Sequence, residues 1–310
     1  MTFVTEVVAA FDCGSNSTRL LIADGEGDTL VRSMSITRLS QGVDASRSLL
    51  PEAMERTFAV LREYRAECDR QAVTRGRLVA TSAVRDAANG DEFLRRAHEI
   101  VRVPVSVLEG GEEATLSYAG ATKDLVRVDV PTMIVDVGGG STELAVELDG
   151  DLASYSMQLG SVRVTERALG RGVVDDASDL AARTMIEGEL ERAFAARPDF
   201  ARVVDNVRLV GLAGTVATLA QMDAALVNYD RDVVHHRVLS LETVEFWRDL
   251  LARESPSERL GHPGMVKGRE DVLTAGLYIL VAVMRRLRVN QLLSSENDIL
   301  DGITAALLAT

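Results

Sequence analysis

Three consecutive glycines, Gly138, Gly139 and Gly140, run into Ser141 and Thr142, and acids flank the turn as Asp136 and Glu143. Glycine leaves backbone N–H groups bare, because no Cβ blocks their approach. Such groups form a concave nest for phosphate oxygens, and serine and threonine hydroxyls add donors. The acids cannot face phosphate without repulsion; two carboxylates about 5 Å apart repel by roughly 3 kcal/mol at an effective dielectric near 20. A divalent cation, Mg²⁺ or Mn²⁺, reverses that sign and holds phosphate oxygens as well.

The same device occurs earlier in the chain. Sliding by 124 residues lays Asp12 on Asp136, Gly14 on Gly138, Ser17 and Thr18 on Ser141 and Thr142, and Leu20 on Leu144. Ser15, Asn16 and Ser17 supply donors in this first turn, and Asp12, Asp136 and Glu143 are candidate metal ligands. A single glycine turn with nearby acids is equally well a plain tight turn. Two copies at matching places are not so easily dismissed. The pattern is neither a P-loop, which needs Gly-Lys-Ser/Thr after the glycines, nor a dinucleotide fingerprint, which opens a helix rather than a second strand. Arg19 falls in register with Glu143, so one hairpin carries a cation where the other carries an anion. Arg19 is accordingly expected to face substrate, and Glu143 the metal.

The elements that must position these turns repeat with them. "VTEVVAAFD", "STRLLIAD" and "DTLVRSMSI" read as three strands, followed by a helix with Pro51 in its first turn and Met54, Phe58, Leu61 and Cys68 on one face. Strand "GRLVATSA", helix "DEFLRRAHEIV", strand "VPVSVLE" and helix "EEATLSYAGATKDL" complete the first half. In the second, "PTMIVDV", "TELAVEL" and "LASYSMQ" are strands, the latter two joined by the hairpin signal Asp149-Gly150. Helices from Ser161 and through "LAARTMIEGELERAFA" precede strand "VRLVGLA", with Thr215 expected as the N-cap of the next helix. An inserted helical stretch from Leu241 to about Pro263 has no counterpart. The predicted fold class is α/β, a doubled β-β-β-α-β-α-β-α unit with a cleft between the halves. Domain I is expected at 1–125 plus the last helix at 296–310, and domain II at 126–295.

Composition sets limits. The chain of 310 residues allows two cores, and its formal net charge of −13 argues against a nucleic-acid-coating surface. The longest apolar run, Thr274 to Met284, is far below the roughly 20 residues that span a bilayer. The first residues carry an acid where a secretory start would carry Lys or Arg, so a cytoplasmic protein is expected. Cys13 and Cys68 give neither a disulfide framework nor a metal spacing. His235 and His236 are adjacent rather than four apart, which argues against a metal pair on one helix face.

At this point the motifs carry a resemblance. "DCGSNSTRLL", "DVGGGSTEL", "ATSAVRDAANGDEF", "LEGGEEATLSYAGA", "GLAGTVATLA" and "REDVLTAGLYIL" stand in the order seen in the exopolyphosphatase/guanosine pentaphosphatase (Ppx/GppA) family, within the actin-like/Hsp70/sugar-kinase superfold. The resemblance covers essentially the whole chain. It implies hydrolysis of the terminal phosphate of inorganic polyphosphate, or of the 5′ phosphate of guanosine pentaphosphate, with Mg²⁺ or Mn²⁺, and a homodimer. The motif Gly-x-Glu-Glu-Ala implies Glu113 as the base that activates water, with Glu112 as the second candidate; by itself, an acid in a first helical turn merely complements the helix dipole. The motif Thr-Ser-Ala-x-Arg implies Arg85 as a phosphate clamp, with Asn89 supporting its loop. Gly214 and Thr215 are expected to bind substrate, and Arg163, His235, Arg237, Lys267 and Arg269 are candidates for the far path of a polyphosphate chain. Longer relatives continue into a further helical domain, so short polyphosphates are expected to be preferred. The rival readings are a guanosine pentaphosphatase, an ATP-dependent kinase of the same superfold, and a non-catalytic sensor of polyphosphate or alarmone. The sensor would be marked by loss of an acid among Asp12, Glu113, Asp136 and Glu143, and all four are present.

Overall fold

A computed structural model describes residues 6–309. The expected first strand begins at Val4, so its first two residues, like the rest of 1–5 and residue 310 of the expected domain I, lie outside the described ones. The strands are β1 (Val7–Cys13), β2 (Ser17–Asp24), β3 (Thr29–Ile36), β4 (Arg75–Ala80), β5 (Val105–Val107), β6 (Thr132–Val137), β7 (Thr142–Leu148), β8 (Asp151–Met157), β9 (Arg208–Leu212), β10 (Val238–Ser240) and β11 (Gln291–Ser294). The longer helices are α1 (Pro51–Arg70), α2 (Gly90–Val101), α3 (Gly110–Thr122), α4 (Asp176–Ala196), α5 (Ala213–Asp223), α6 (Leu241–Ala252), α7 (Leu273–Leu287) and α8 (Ile299–Leu308). The chain divides into two compact units, Met1–Gly120 with Ile299–Thr310, and Ala121–Asp298. The sequence reading puts the same crossings at 125–126 and 295–296.

In the first unit the sheet runs β3-β2-β1-β4-β5, with β1 antiparallel to β2 and parallel to β4. Both faces of β1 are covered, which is why "VVAAF" is a continuous apolar run rather than an alternating one. Alternation decides which face each residue serves. Ala9, Phe11 and Cys13 join Phe58, Leu61 and Phe93 of α1 and α2 on one side, while Ala10 joins Ile299, Leu300 and Ile303 of α8 on the other. Fully burying a side chain such as Phe11 contributes about 1.5–3 kcal/mol. The last helix thus completes the core of the first unit, and its Gly302 lies so close to the Leu116 backbone of α3 that a Cβ would meet the carbonyl oxygen at 2.1 Å.

Burial also decides the cysteines. Burial, seconded by the charge of Asp12, pushes the Cys13 thiol well above its ordinary value, and burial pushes Cys68 up to about 11. Only the thiolate reacts appreciably. Titration with a disulfide reagent at pH 8 should therefore find almost no reactive thiol in the folded protein and both in denaturant. Rapid labelling of the native protein, with loss of activity, would overturn the assignment of Cys13 to the core.

In the second unit the sheet runs β10-β11-β9-β6-β7-β8, which repeats the first order with one strand added. Asp149 and Gly150 both take positive φ, +56° and +89°, as a two-residue hairpin between right-twisted strands requires. The core gathers Ile186 and Leu190 of α4, Val216 and Leu219 of α5 and nearly every residue of α7. The helical insertion expected from Leu241 begins there, as α6. The strand just before it, β10, pairs antiparallel with β11 and is not expected from the sequence, since three residues are too few to show a period. One sequence expectation needs correction. Thr215 is not an N-cap, because Ala213 takes φ +64° at the end of β9 and the helix starts there. Thr215 lies in the first turn instead, and its hydroxyl donates to the Val137 carbonyl at 3.3 Å.

Candidate functional site

In each unit the first two strands meet at the glycine turn. The closing bond is the same in both: Gly14 N–H donates to the Ser17 carbonyl at 3.0 Å, and Gly138 N–H to the Ser141 carbonyl at 3.1 Å. What shapes each turn comes from the segment leaving the third strand. After β3, Ser40 N–H donates to the Ser15 carbonyl at 2.9 Å, and Thr37 and Arg38 N–H donate to the Asn16 carbonyl at 3.1 and 2.9 Å. After β8, Ser161 N–H donates to the Gly138 carbonyl at 2.9 Å, and Val162 and Arg163 N–H donate to the Gly139 carbonyl at 2.9 and 3.1 Å. A trans peptide points its N–H away from its C=O. Carbonyls drawn toward the third-strand exit therefore turn the following N–H groups, those of Asn16 and Ser17 and of Gly139 and Gly140, the other way. Backbone donors turned this way are what an anion nest requires. Gly160 is required at the second exit, since a Cβ there would lie 2.4 Å from the Gly139 oxygen.

The cross-strand register sets the acids. Asp12 stands opposite Arg19, and Asp136 opposite Glu143. Arg19 donates to Asp12 Oδ2 through Nε at 2.9 Å and through its terminal nitrogen at 2.6 Å. This differs from the expectation that Arg19 faces substrate and Asp12 a metal. A guanidinium beside the carboxylate supplies the charge that a cation would. In the second unit both Asp136 and Glu143 are buried, at 8% and 1% exposure, and Glu143 Oε1 accepts from the Ser156 hydroxyl at 2.7 Å. Two acids directly opposite on neighbouring strands repel, and hard oxygen donors of this kind suit Mg²⁺ or Mn²⁺. Asp136 and Glu143 fit a divalent cation; Asp12, held by Arg19, fits it less well.

The rest of the first unit's groups lie on β4 and α3. Ser15 and Ser82 share a hydroxyl hydrogen bond at 3.0 Å, which ties the glycine turn to the helical turn Ser82–Arg85. Arg85 donates to the Leu108 carbonyl at 2.7 Å and lies 3.6 Å from the Glu113 carboxylate. Glu113 is buried, whereas Glu112 on the next position is half exposed and pairs with Arg77 at 2.8 Å. Adjacent acids on a helix point about 100° apart, which separates their roles. Asn89 donates to the Leu49 carbonyl and accepts from the Leu49 N–H, so it fastens the approach to α1 against the helical turn.

Among the residues expected along a substrate path, Arg269 is buried with its guanidinium against the bare face of Gly214, where a Cβ would lie 1.8 Å from it. Arg237 is paired with Asp223. Adjacent spacing argues against a metal pair, yet Asp124, His235 and His236 bring their ligand atoms within 4.8 Å of one another, close enough to hold a metal ion. His235 Nδ1 accepts from the Glu296 N–H at 3.1 Å, and its Nε2 lies 2.9 Å from Asp124. His236 stacks on it, with ring centroids 3.8 Å apart. Burial holds His235 below the ordinary imidazole value, against the pull of Asp124. A base depressed on folding stabilises fully above its unfolded value near 6.5 and loses that contribution as pH falls through the folded value. Urea midpoints should therefore decline between pH 7.5 and 5.5, and His235→Gln should flatten that decline. An unchanged slope in the variant would remove His235 as its source.

Three groups were not singled out by the sequence reading for the places they occupy: Gly160, the segment Thr37–Ser40, and Arg163 as a partner of the triglycine turn. Their only signal is positional, since each follows the third strand of its half.

Comparison with known proteins shows the family. A sequence model described as the Ppx/GppA phosphatase family matches residues 21–309. The chain is 37% identical over 318 aligned residues to exopolyphosphatase 2 of Mycobacterium tuberculosis, covering 97% of this chain and 98% of that one. The crystal structure of an exopolyphosphatase-like protein superposes with a TM-score of 0.91 at 33% identity, covering 98% of this chain and 99% of that one. The Ppx/GppA family member of Aquifex aeolicus superposes at 0.79 with 27% identity, covering 98% of each. No helix among the described residues is long and apolar enough to cross a membrane. With two actin-like α/β units and a full-length match in both sequence and structure, the chain belongs to the Ppx/GppA phosphatase family and is a hydrolase.

Proposed function

We propose that this protein is an exopolyphosphatase that removes the terminal phosphate of inorganic polyphosphate. The observation that carries the substrate choice is the full-length identity to the relative named exopolyphosphatase 2. The geometry supports the reaction class: donors without side chains suit a ligand that is all phosphate oxygen, and no base or sugar pocket is needed to explain them.

In this reading the N–H groups of each turn bind non-bridging phosphate oxygens. Glu113 holds a water and accepts its proton as the water oxygen attacks terminal phosphorus. The bond to the bridging oxygen breaks in line, the chain leaves one phosphate shorter, and orthophosphate is released. Arg85 stands 3.6 Å from Glu113 with one donor spent on the Leu108 carbonyl, which leaves guanidinium N–H groups for phosphate. A divalent cation, when bound by Asp136 and Glu143, neutralises charge on the phosphate oxygens. A cytoplasmic location and, by family analogy, a homodimer belong to the same proposal.

The test is phosphate release from short polyphosphate, long polyphosphate, guanosine pentaphosphate and ATP, each with Mg²⁺ and with chelator. Polyphosphate is expected to be turned over fastest, and only with Mg²⁺. Faster release from guanosine pentaphosphate would transfer the function to the alarmone, and no release from any of them would leave the sensor reading. Run across chain lengths, the same assay tests the preference for short polymers; a strong gain in kcat/KM with length would overturn it.

A further inference from the structure

Deepening that reading, we propose that Arg163 is a positioning residue for phosphate binding, acting from behind the triglycine turn without touching substrate. The two turns have three corresponding carbonyls each, and the third is held differently in the two units. In the first unit the Asn16 carbonyl is held by two backbone amides, Thr37 and Arg38 N–H. At the corresponding place in the second unit, the Gly140 carbonyl accepts from Arg163 Nε at 2.8 Å. The last of these peptides is thus fixed by main chain in one turn and by a single side chain in the other.

Two consequences follow from that contact. Gly140 C=O and Ser141 N–H belong to one trans peptide, so holding the carbonyl toward Arg163 aims the Ser141 N–H in the opposite direction. Glycine on both sides of the Gly139–Gly140 peptide gives the turn many alternative conformations, and the clamp selects among them. Only 8% of Arg163 is exposed, so water competes little for the bond to the Gly140 carbonyl. The backbone of the same residue already holds the Gly139 carbonyl, so side chain and main chain of one position act on neighbouring peptides.

The expected signature is a loss in binding larger than the loss in turnover. Arg163→Gln and Arg163→Lys would be compared with wild type for thermal midpoint, for KM and kcat on inorganic tripolyphosphate, and for ¹H–¹⁵N shifts of the Gly139, Gly140 and Ser141 amides on adding tripolyphosphate. Arg163→Gln is expected to raise KM at least tenfold with kcat changed less than threefold, and to abolish the Ser141 shift. Arg163→Lys, which keeps the charge and a donor, is expected to recover most of both. Wild-type KM and amide shifts in a folded Arg163→Gln protein would overturn this proposal while leaving the polyphosphatase reading intact. If Arg163→Gln does not fold, a folded Arg163→Lys with wild-type Ser141 shifts supports the clamp, and one with KM raised as far as its stability falls, and with unchanged amides, overturns it. Wild-type amides that ignore tripolyphosphate would overturn the phosphate reading, and this proposal with it.

Discussion

Glu113→Gln is expected to lower kcat by on the order of 10²–10⁴ with little change in KM. The amide fills the same volume at a buried position and cannot accept a proton from water. Its neighbour Arg85 loses the charge 3.6 Å away but keeps its bond to the Leu108 carbonyl, so the fold should survive. Glu112→Gln is the control. That carboxylate is half exposed and paired with Arg77, and its removal should change kcat less than threefold. Stopped assays of orthophosphate release, with circular dichroism to confirm folding, decide between the two. Near wild-type turnover in Glu113→Gln would remove Glu113 from the mechanism, and a larger loss in Glu112→Gln would move the base to the neighbouring position.

Gly160→Ala is the second change with a large expected effect, although a methyl group is among the smallest possible additions. Its Cβ would lie 2.4 Å from the Gly139 oxygen and 2.6 Å from the Gly140 nitrogen, and neither atom belongs to a side chain that can swing aside. The backbone must move, and overpacking of this kind costs about 1–3 kcal/mol. A cost near 3 kcal/mol lowers the thermal midpoint by roughly 10 °C in a unit of this size. The shift also opens the bonds from Ser161 and Val162 to the glycine carbonyls, so tripolyphosphate binding should weaken more than stability alone explains. Gly111→Ala, where nothing lies within 4 Å of the added atom, should leave stability within about 0.5 kcal/mol. A Gly160→Ala protein with wild-type melting and turnover would show that the third-strand exit does not shape the turn.

Much of this was legible before any coordinates. The succession of strands and helices along both halves, β10 excepted, followed from the doubled pattern, because apolar runs bounded by glycine turns repeat at one spacing. The Asp149-Gly150 hairpin was readable because only certain residue types accept two successive positive φ angles. What escaped was long-range or conformational. Ala213 takes φ +64°, a geometry that alanine does not advertise, and so the start of α5 was placed too late. The ion pair of Arg19 with Asp12 needs the cross-strand register and the side-chain choice, and aligning the two motifs supplies neither. The bonds from Thr37–Ser40 and from Ser161–Arg163 to the turns join segments about 20 residues apart, and no local period marks them.

The two turns are moulded from the rear, and this divides the chain into places that tolerate length changes and places that do not. The Asp149-Gly150 bend is exposed and has open space beside its glycine, so a reporter peptide spliced there should be carried as a passenger. One extra residue between Met157 and Arg163, or between Ile36 and Ser40, would instead slide the template past the groove it shapes, although it touches no ligand.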